Sequence, residues 1–451
     1  MKHENGLFIF RRDLRIVDNK GLYLAASKCK NLYCVFIFTP EQVGPSNKYK
    51  SDNSVQFMIE SLEDLNKSTH NSLLTFYGSN NTIIKQLIQR IGIDYVCFNA
   101  DYTPYAIERD LDIIKMCENL CVECEHAYDY YLHAPGTFKP YQKFTPYYNV
   151  ASSKHVDQIE RTRSLPIRKF GGQLSDKISL NEAFRRFTKE NEAVAVRGGR
   201  TEGIKMLNSA HKSQNHYSST HNDLAKSTSM LSAYIKFGCV SIREVYYKMK
   251  SNHAFTRQLF WRDFYAQVLF YFPKVLGHAL KDQYNKIHWH HNSSWFEKWK
   301  KGETGFPIVD AGMRQMNATG YMHNRARLIV SAFLIKTLLI DWRKGEQYFA
   351  QTLVDYDVAS NNGNWQWSAG SGADAQPYFR VFNPWRQAEE HDPDCTYVKK
   401  WIPELEDLPN KDILTWNESY SKYKDIKYPK PICDYTEQKE KALKMYKDGL
   451  Y

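Results

Sequence analysis

Apolar positions in the first 130 residues switch between two periods. Short runs rich in β-branched and aromatic residues at 7–10, 32–38, 73–77, 95–99 and 121–127 read as strands. Between them, 54–65 and 82–91 space their apolar residues along one helical face. This alternation predicts an α/β unit, a doubly wound parallel sheet covered by helices on both faces. From about 131 to 200 the pattern fades into Pro, Gly, Lys, Ser and Thr, ending at Arg197-Gly-Gly-Arg200, and reads as a connector. Beyond 200 strand signals nearly vanish, and helical spacing at 259–272, 308–316 and 325–339 predicts an all-α C-terminal part. The expected domains are therefore 1–130, a linker over 131–200, and 201–451.

Composition narrows the class. At 42% apolar and 25% charged residues, the chain is globular rather than disordered. It holds no run of eighteen apolar residues, so no membrane-spanning helix is expected. Only four apolar residues precede Arg11 and Arg12, too few for a secretory core. An intracellular protein is expected, cytoplasmic or nuclear. The nine cysteines include one CxxC, Cys121 to Cys124, with no second pair or His cluster, so they read as reduced thiols and no metal is expected. A net charge of +11 favours polyanions such as nucleic acid, a weak signal by itself.

The tryptophans say more. Seven of ten lie between 289 and 385 and none precedes Trp261, which suggests a site for flat ligands in the second half. For any single Trp an aromatic core is the commoner explanation. Asn361, Asn362, Asp355, Asp357 and Arg380, however, follow no packing period. No G-x-G-x-x-G follows the first strand, so the usual dinucleotide fingerprint is absent. Thr228-Ser-Met-Leu-Ser232 is a hydroxyl-rich turn opening a helix, suited to a phosphate but equally to an ordinary cap. On helices, Gln258, Trp261 and Arg262 share one face, as do Asn324, Arg327 and Leu328. His323, alone, reads as structural.

Together these segments resemble the cryptochrome/photolyase family, and within it the class I cyclobutane pyrimidine dimer DNA photolyases. The likeness runs nearly end to end: FRRDLRIVDN (10–19), PYQKFTPYY (140–148), TSMLS, WRDFY, GFPIVDAGMRQM, MHNRAR and NNGNWQW. The resemblance implies a helical domain holding FAD in a U shape, fully reduced when functional. Tyr217, Thr228, Ser229, Met230, Leu231 and Ser232 match FAD phosphate-binding positions, and Phe255 and Tyr356 also fall at cofactor-binding positions. Arg327 with Asp355 resembles the ion pair beside the flavin, Asp357 lies near the ring edge, and Asn361 sits where the family contacts N5. Trp365, Trp342 and Trp289 match the electron-transfer chain from flavin to surface. Trp261 and Trp367 resemble two indoles that sandwich a flipped-out dimer, with Asn324 and Gln258 hydrogen-bonding it. Arg262, Arg325, Arg380 and Gln387 match DNA-contacting positions. The implied partner is DNA containing cyclobutane pyrimidine dimers, and a monomer is expected.

Some positions depart from that pattern. Gln258 stands where cyclobutane-specific enzymes usually carry Glu; Gln is typical of (6-4) photolyases, yet their histidines are replaced here by Asn324 and Leu328. Cyclobutane dimers are therefore the expected substrate, with a (6-4) photolyase or a cryptochrome-type blue-light receptor as alternatives. Glu108 matches an acid that grips a methenyltetrahydrofolate antenna, whereas Ile107, Leu276 and Gly277 replace polar or reactive partners, leaving folate as the leading candidate antenna.

Overall fold

The computed structural model describes residues 2–161 and 164–450. Five strands, β1 (His3–Phe10), β2 (Cys29–Phe38), β3 (Leu73–Tyr77), β4 (Tyr95–Asn99) and β5 (Glu123–Ala127), form one parallel sheet in the order β3-β2-β1-β4-β5. Central β1 carries the run Leu7 to Phe10, each at most 1% exposed, because helices cover both faces of a parallel sheet. The strands β1 and β2 begin earlier than periodicity predicts, since the register pairs His3 with Cys29 and extends the ladder through polar residues. The strand β5 begins later: Cys121 adopts φ +54°, which ends the preceding turn before pairing can start. All nine cysteines are free.

The described part of the expected connector, 131–161 and 164–200, carries some regular structure. It contains helices Phe144–Ala151 and Leu180–Phe187, and its Arg-Gly-Gly-Arg end lies flat on helix Asp52–Ser68. A Cβ at Gly198 would meet the Phe57 carbonyl oxygen at 2.2 Å, and Gly199 has φ +109°, so both positions need glycine. The Gly198 N–H donates to Glu60 Oε2 at 2.6 Å, fixing the approach.

Beyond it the chain is helical. Three helices frame the region of interest: His253–Tyr271, Asn324–Lys336 and Val358–Ala369. The first and third touch at Gly363, where an added Cβ would lie 2.1 Å from the Tyr265 ring. A buried ion lattice ties the loops that follow β1 and β5 to a fourth helix, Ile242–Lys248. Arg15 reaches Asp129 at 2.5 Å, and Arg243 reaches Asp129 at 2.7 Å and Asp18 at 2.9 Å. All four side chains are at most 2% exposed, a setting in which removing one partner strands a buried charge.

Candidate active site

Val358–Ala369 carries Asn361, Trp365 and Trp367, and its start is fixed by Asp357, whose Oδ1 accepts the Ser360 N–H at 3.0 Å. Asn324–Lys336 begins at His323, whose Nδ1 accepts the Arg325 N–H at 3.1 Å. Burial lowers the His323 pKa to about 4, so it caps the helix as a neutral ring. Between these two helices lies a cavity of about 110 Å³, bordered by Asn324, Arg327, Leu328, Asp355, Asp357, Asn361 and Trp365.

Its charges are paired. Arg327 donates to both Asp355 oxygens at 3.1 and 2.9 Å and to the Met322 carbonyl at 2.9 Å. Asp357 Oδ2 accepts from Arg12 Nη2 at 2.6 Å. Burial works to raise the Asp357 pKa, but Arg12 and Arg262 more than offset it and hold it at about 2. The Asn361 amide donates to the Glu346 carbonyl at 3.0 Å. Beside it, burial pushes Glu346 up to about 7.

A chain of contacts leads from this cavity to the hydroxyl-rich turn. Thr228 Oγ1 lies 3.1 Å from Tyr321 Oη, and the Tyr321 ring lies 5.3 Å from the Arg327 guanidinium carbon. Thr228, Ser229 and Met230 are half-buried, Leu231 is buried and Ser232 exposed. Met230 has φ +54°, a conformation in which a non-glycine residue is strained, as at many binding turns. The helix after the turn spans only Ser232–Lys236. Tyr217 stacks on His221 at 5.1 Å and meets buried Phe255 edge-on at 5.3 Å. A flat ring bearing polar edges fits the small cavity's donors and acceptors, and a phosphate chain fits the turn's hydroxyls.

The three tryptophans expected to pass electrons run from inside to outside. Trp365 and Trp342 are each 2% exposed, whereas Trp289 is half-buried. Gly345 lets Trp365 pack against helix Trp342–Thr352, because a Cβ there would lie 2.2 Å from Trp365 Cη2. Trp342 is one turn away on that helix. The His290 N–H donates to the Leu339 carbonyl at 2.8 Å, bringing Trp289 beside the segment that leads into Trp342.

Several expected ligand-contacting residues look different in place. Trp261 lies flat on Phe144, with centroids 3.7 Å apart and planes 7° apart, so one face is covered. Trp367 is half-buried, and neither indole borders the 110 Å³ cavity. Gln258 is exposed and its amide turns back to the Ala254 carbonyl at 3.3 Å. Asn324 is exposed at its helix start. Arg262, expected at a DNA surface, is engaged internally: it donates to the Tyr130 carbonyl at 2.6 Å and lies 4.3 Å over the Tyr131 ring. These two contacts hold the Arg262 side chain against the segment that follows β5. Arg325 donates to Asn222 Oδ1 at 2.7 Å, Arg380 is exposed, and Gln387 is half-buried.

A larger cavity of about 620 Å³ opens beyond the ends of β1 and β4, where the order of the strands reverses, a usual ligand position in open parallel sheets. Arg12, Tyr49, Asp101, Lys236, Tyr356 and Asp357 are among the residues around it, so Tyr356 and Asp357 belong to both cavities. Burial and Arg12 bring the Lys236 pKa down to about 7, and its ammonium donates to Ser54 Oγ at 3.0 Å. Glu108 does not border this space. It is exposed beside a separate cleft of about 410 Å³, with Ile107, Leu111 and Phe270. Leu276 and Gly277 border the larger cavity, so Glu108 and the positions whose polar or reactive partners are replaced here are divided between two sites. Sequence reasoning missed Arg12, Lys236 and Glu346, since a lone charge far away in the chain carries no periodic signal.

Residues 7–165 match the DNA photolyase family, and residues 255–448 match the FAD binding domain of DNA photolyase. The deoxyribodipyrimidine photo-lyase of Halobacterium salinarum is 33% identical, over 98% of this chain and 98% of that protein. An archaeal photolyase from Sulfolobus tokodaii, solved with two FAD molecules, superposes with a TM-score of 0.90 at 39% identity, covering 98% of this chain and 100% of the other. A bacterial class III photolyase from Agrobacterium tumefaciens gives 0.91 at 31%, covering 100% and 98%. With likeness over its whole length in both sequence and fold, the chain belongs to the DNA photolyase family.

Proposed function

We propose that this chain binds DNA at a cyclobutane pyrimidine dimer and splits the dimer with blue light. The observation that carries the reading is the cavity in which Arg327–Asp355, Asp357 and Asn361 converge beside Trp365. Bound there in its fully reduced form, FAD would supply light absorption and a returnable electron for splitting the two cyclobutane bonds. The protein's part is to bind, orient and insulate. Tyr217, Phe255 and the Thr228-to-Ser232 turn would hold the phosphate end, and Arg327 with Asp355 would hold the ring. Asn361 presents an amide, adding no further negative charge to a ring that must stay reduced.

Trp367 and Trp261, both half-buried, supply stacking surface for an extruded dimer, at ~1–3 kcal/mol per stacked base. That return offsets an extrusion cost of a few kcal/mol, least for a damaged and poorly stacked base. Asn324, at an exposed helix start bordering the cavity, hydrogen-bonds the lesion, with Gln258 beside Trp261 in sequence. Arg325, Arg380 and Gln387 hold the DNA. Asn324 and Leu328 carry no titratable proton, which favours the cyclobutane substrate over the (6-4) product, whose repair needs proton transfer. Trp289, Trp342 and Trp365 give electrons a path from the surface inward. Fluorescence anisotropy with dimer-containing and intact oligonucleotides tests the DNA reading. Selective binding to the dimer that Trp261→Ala and Trp367→Ala both weaken supports it, and equal affinity for both oligonucleotides refutes it.

A second chromophore fits the 620 Å³ cavity better than the Glu108 cleft. The Sulfolobus tokodaii relative, solved with two FAD molecules and the implication of a novel light-harvesting cofactor, favours a flavin-sized antenna there over methenyltetrahydrofolate.

A further inference from the structure

Arg12 leaves the end of β1 and spans the boundary between sheet and helices. Its Nη2 donates to Asp357 Oδ2 at 2.6 Å, its Nη1 donates to both Asp101 oxygens at 3.2 and 3.1 Å, and its Nε donates to the Lys236 carbonyl at 3.3 Å. Every guanidinium nitrogen is thus used, and the three side chains are between 10% and 19% exposed, which limits screening by water. Asp357 has each oxygen engaged, Oδ2 by Arg12 and Oδ1 by the first turn of Val358–Ala369. That helix carries Asn361 and Trp365 on the wall of the small cavity. Arg12 itself does not border that cavity, so whatever it does there passes through Asp357.

We propose that Arg12 is a positioning residue for the reduced flavin: by pairing with Asp357 across the boundary between sheet and helices, it cancels a negative charge beside the ring and sets how readily the ring holds its electrons. The inference rests on the flavin-site reading above. It makes the N-terminal sheet part of the redox machinery, and it brings the wall shared by the two cavities under one charge pair. Charge arithmetic gives the test. The pair is neutral; Arg12→Met leaves one negative charge, Asp357→Asn leaves one positive charge, and the double variant is neutral again.

The experiment measures the flavin's reduction midpoint by mediator titration in the purified holoprotein of each variant. Arg12→Met should lower the midpoint, Asp357→Asn should raise it, and the double variant should return close to the parent. The expected change is about ten- to a hundred-fold in the reduced-to-oxidised ratio at a fixed poise, the scale of a unit charge about 6–12 Å away at an effective dielectric of about 20. A structural role alone would shift both single variants the same way or not at all, and either result overturns the proposal. Arg12→Lys keeps the charge and should stay near the parent; if Arg12→Met does not fold, Arg12→Lys and Asp357→Asn decide, and a matched shift in both refutes. Purified parent protein that binds no flavin would instead refute the site reading, a separately visible failure.

Discussion

Asn361 and Gln258 show how much one amide decides. At Asn361 an acid would add a third carboxylate beside Asp355 and Asp357, so Asn361→Asp should make the reduced flavin re-oxidise in air several-fold faster, followed by absorbance. An unchanged rate would remove Asn361 from the redox account. Gln258 cannot give or tune a proton, and its amide already returns to its own helix at 3.3 Å. Gln258→Glu should therefore split more dimers per absorbed photon, measured by actinometry against product yield. The positions of these amides could be singled out in sequence because the family's motifs fix residue identity. The partners were not: nothing near Asp357 in the chain announces Arg12, and nothing near Arg262 announces Tyr130 and Tyr131.

Among the elements, helix Val358–Ala369 carries the most. Its apolar and polar residues follow no single face, because one side meets Tyr265 through Gly363, another meets helix Trp342–Thr352 through Gly345, and a third borders the cavity. Periodicity could find such a helix only weakly, whereas β1 to β4 stood out as short β-branched and aromatic runs. The two helices within the connector escaped notice for a related reason: Phe144–Ala151 and Leu180–Phe187 are short and lie among Pro and Gly. Filling the Gly345 notch should be informative. A Gly345→Val side chain would meet Trp365, cost ~1–3 kcal/mol of stability by overpacking, and displace an inner ring of the tryptophan path. Flash photolysis should show slower photoreduction of the oxidised flavin, with repair by chemically reduced enzyme retained. Photoreduction at the parental rate would separate Trp365 from that path.

The whole molecule is held together by buried charge as well as by apolar cores, and this makes its stability depend on pH. Asp263 is 1% exposed; its Oδ2 accepts the His133 N–H at 3.0 Å, and burial raises its pKa to about 7 despite Arg262. An acid whose folded pKa lies above its unfolded value binds more protons when folded. Its contribution is most favourable below the unfolded pKa of about 4 and is lost as pH rises through about 7. Asp263→Asn should therefore melt above the parent at pH 8, with the gap closing towards pH 5, by calorimetry; a gap independent of pH would contradict the assignment. Arg243→Met should cost roughly 3–5 kcal/mol in denaturant unfolding, the scale of breaking a buried pair. The sheet and the helices were visible in sequence as two classes of pattern, but the lattice joining them, Arg15, Asp18, Asp129 and Arg243, lies at distant positions and emerges only on folding. The most direct test of the account is to illuminate the reduced protein with an oligonucleotide bearing one cyclobutane thymine dimer, alongside another bearing the (6-4) product, and to resolve the products chromatographically. Two restored thymines from the cyclobutane substrate alone, and only in blue light, is the predicted result; no restoration, or restoration from the (6-4) product instead, would contradict it.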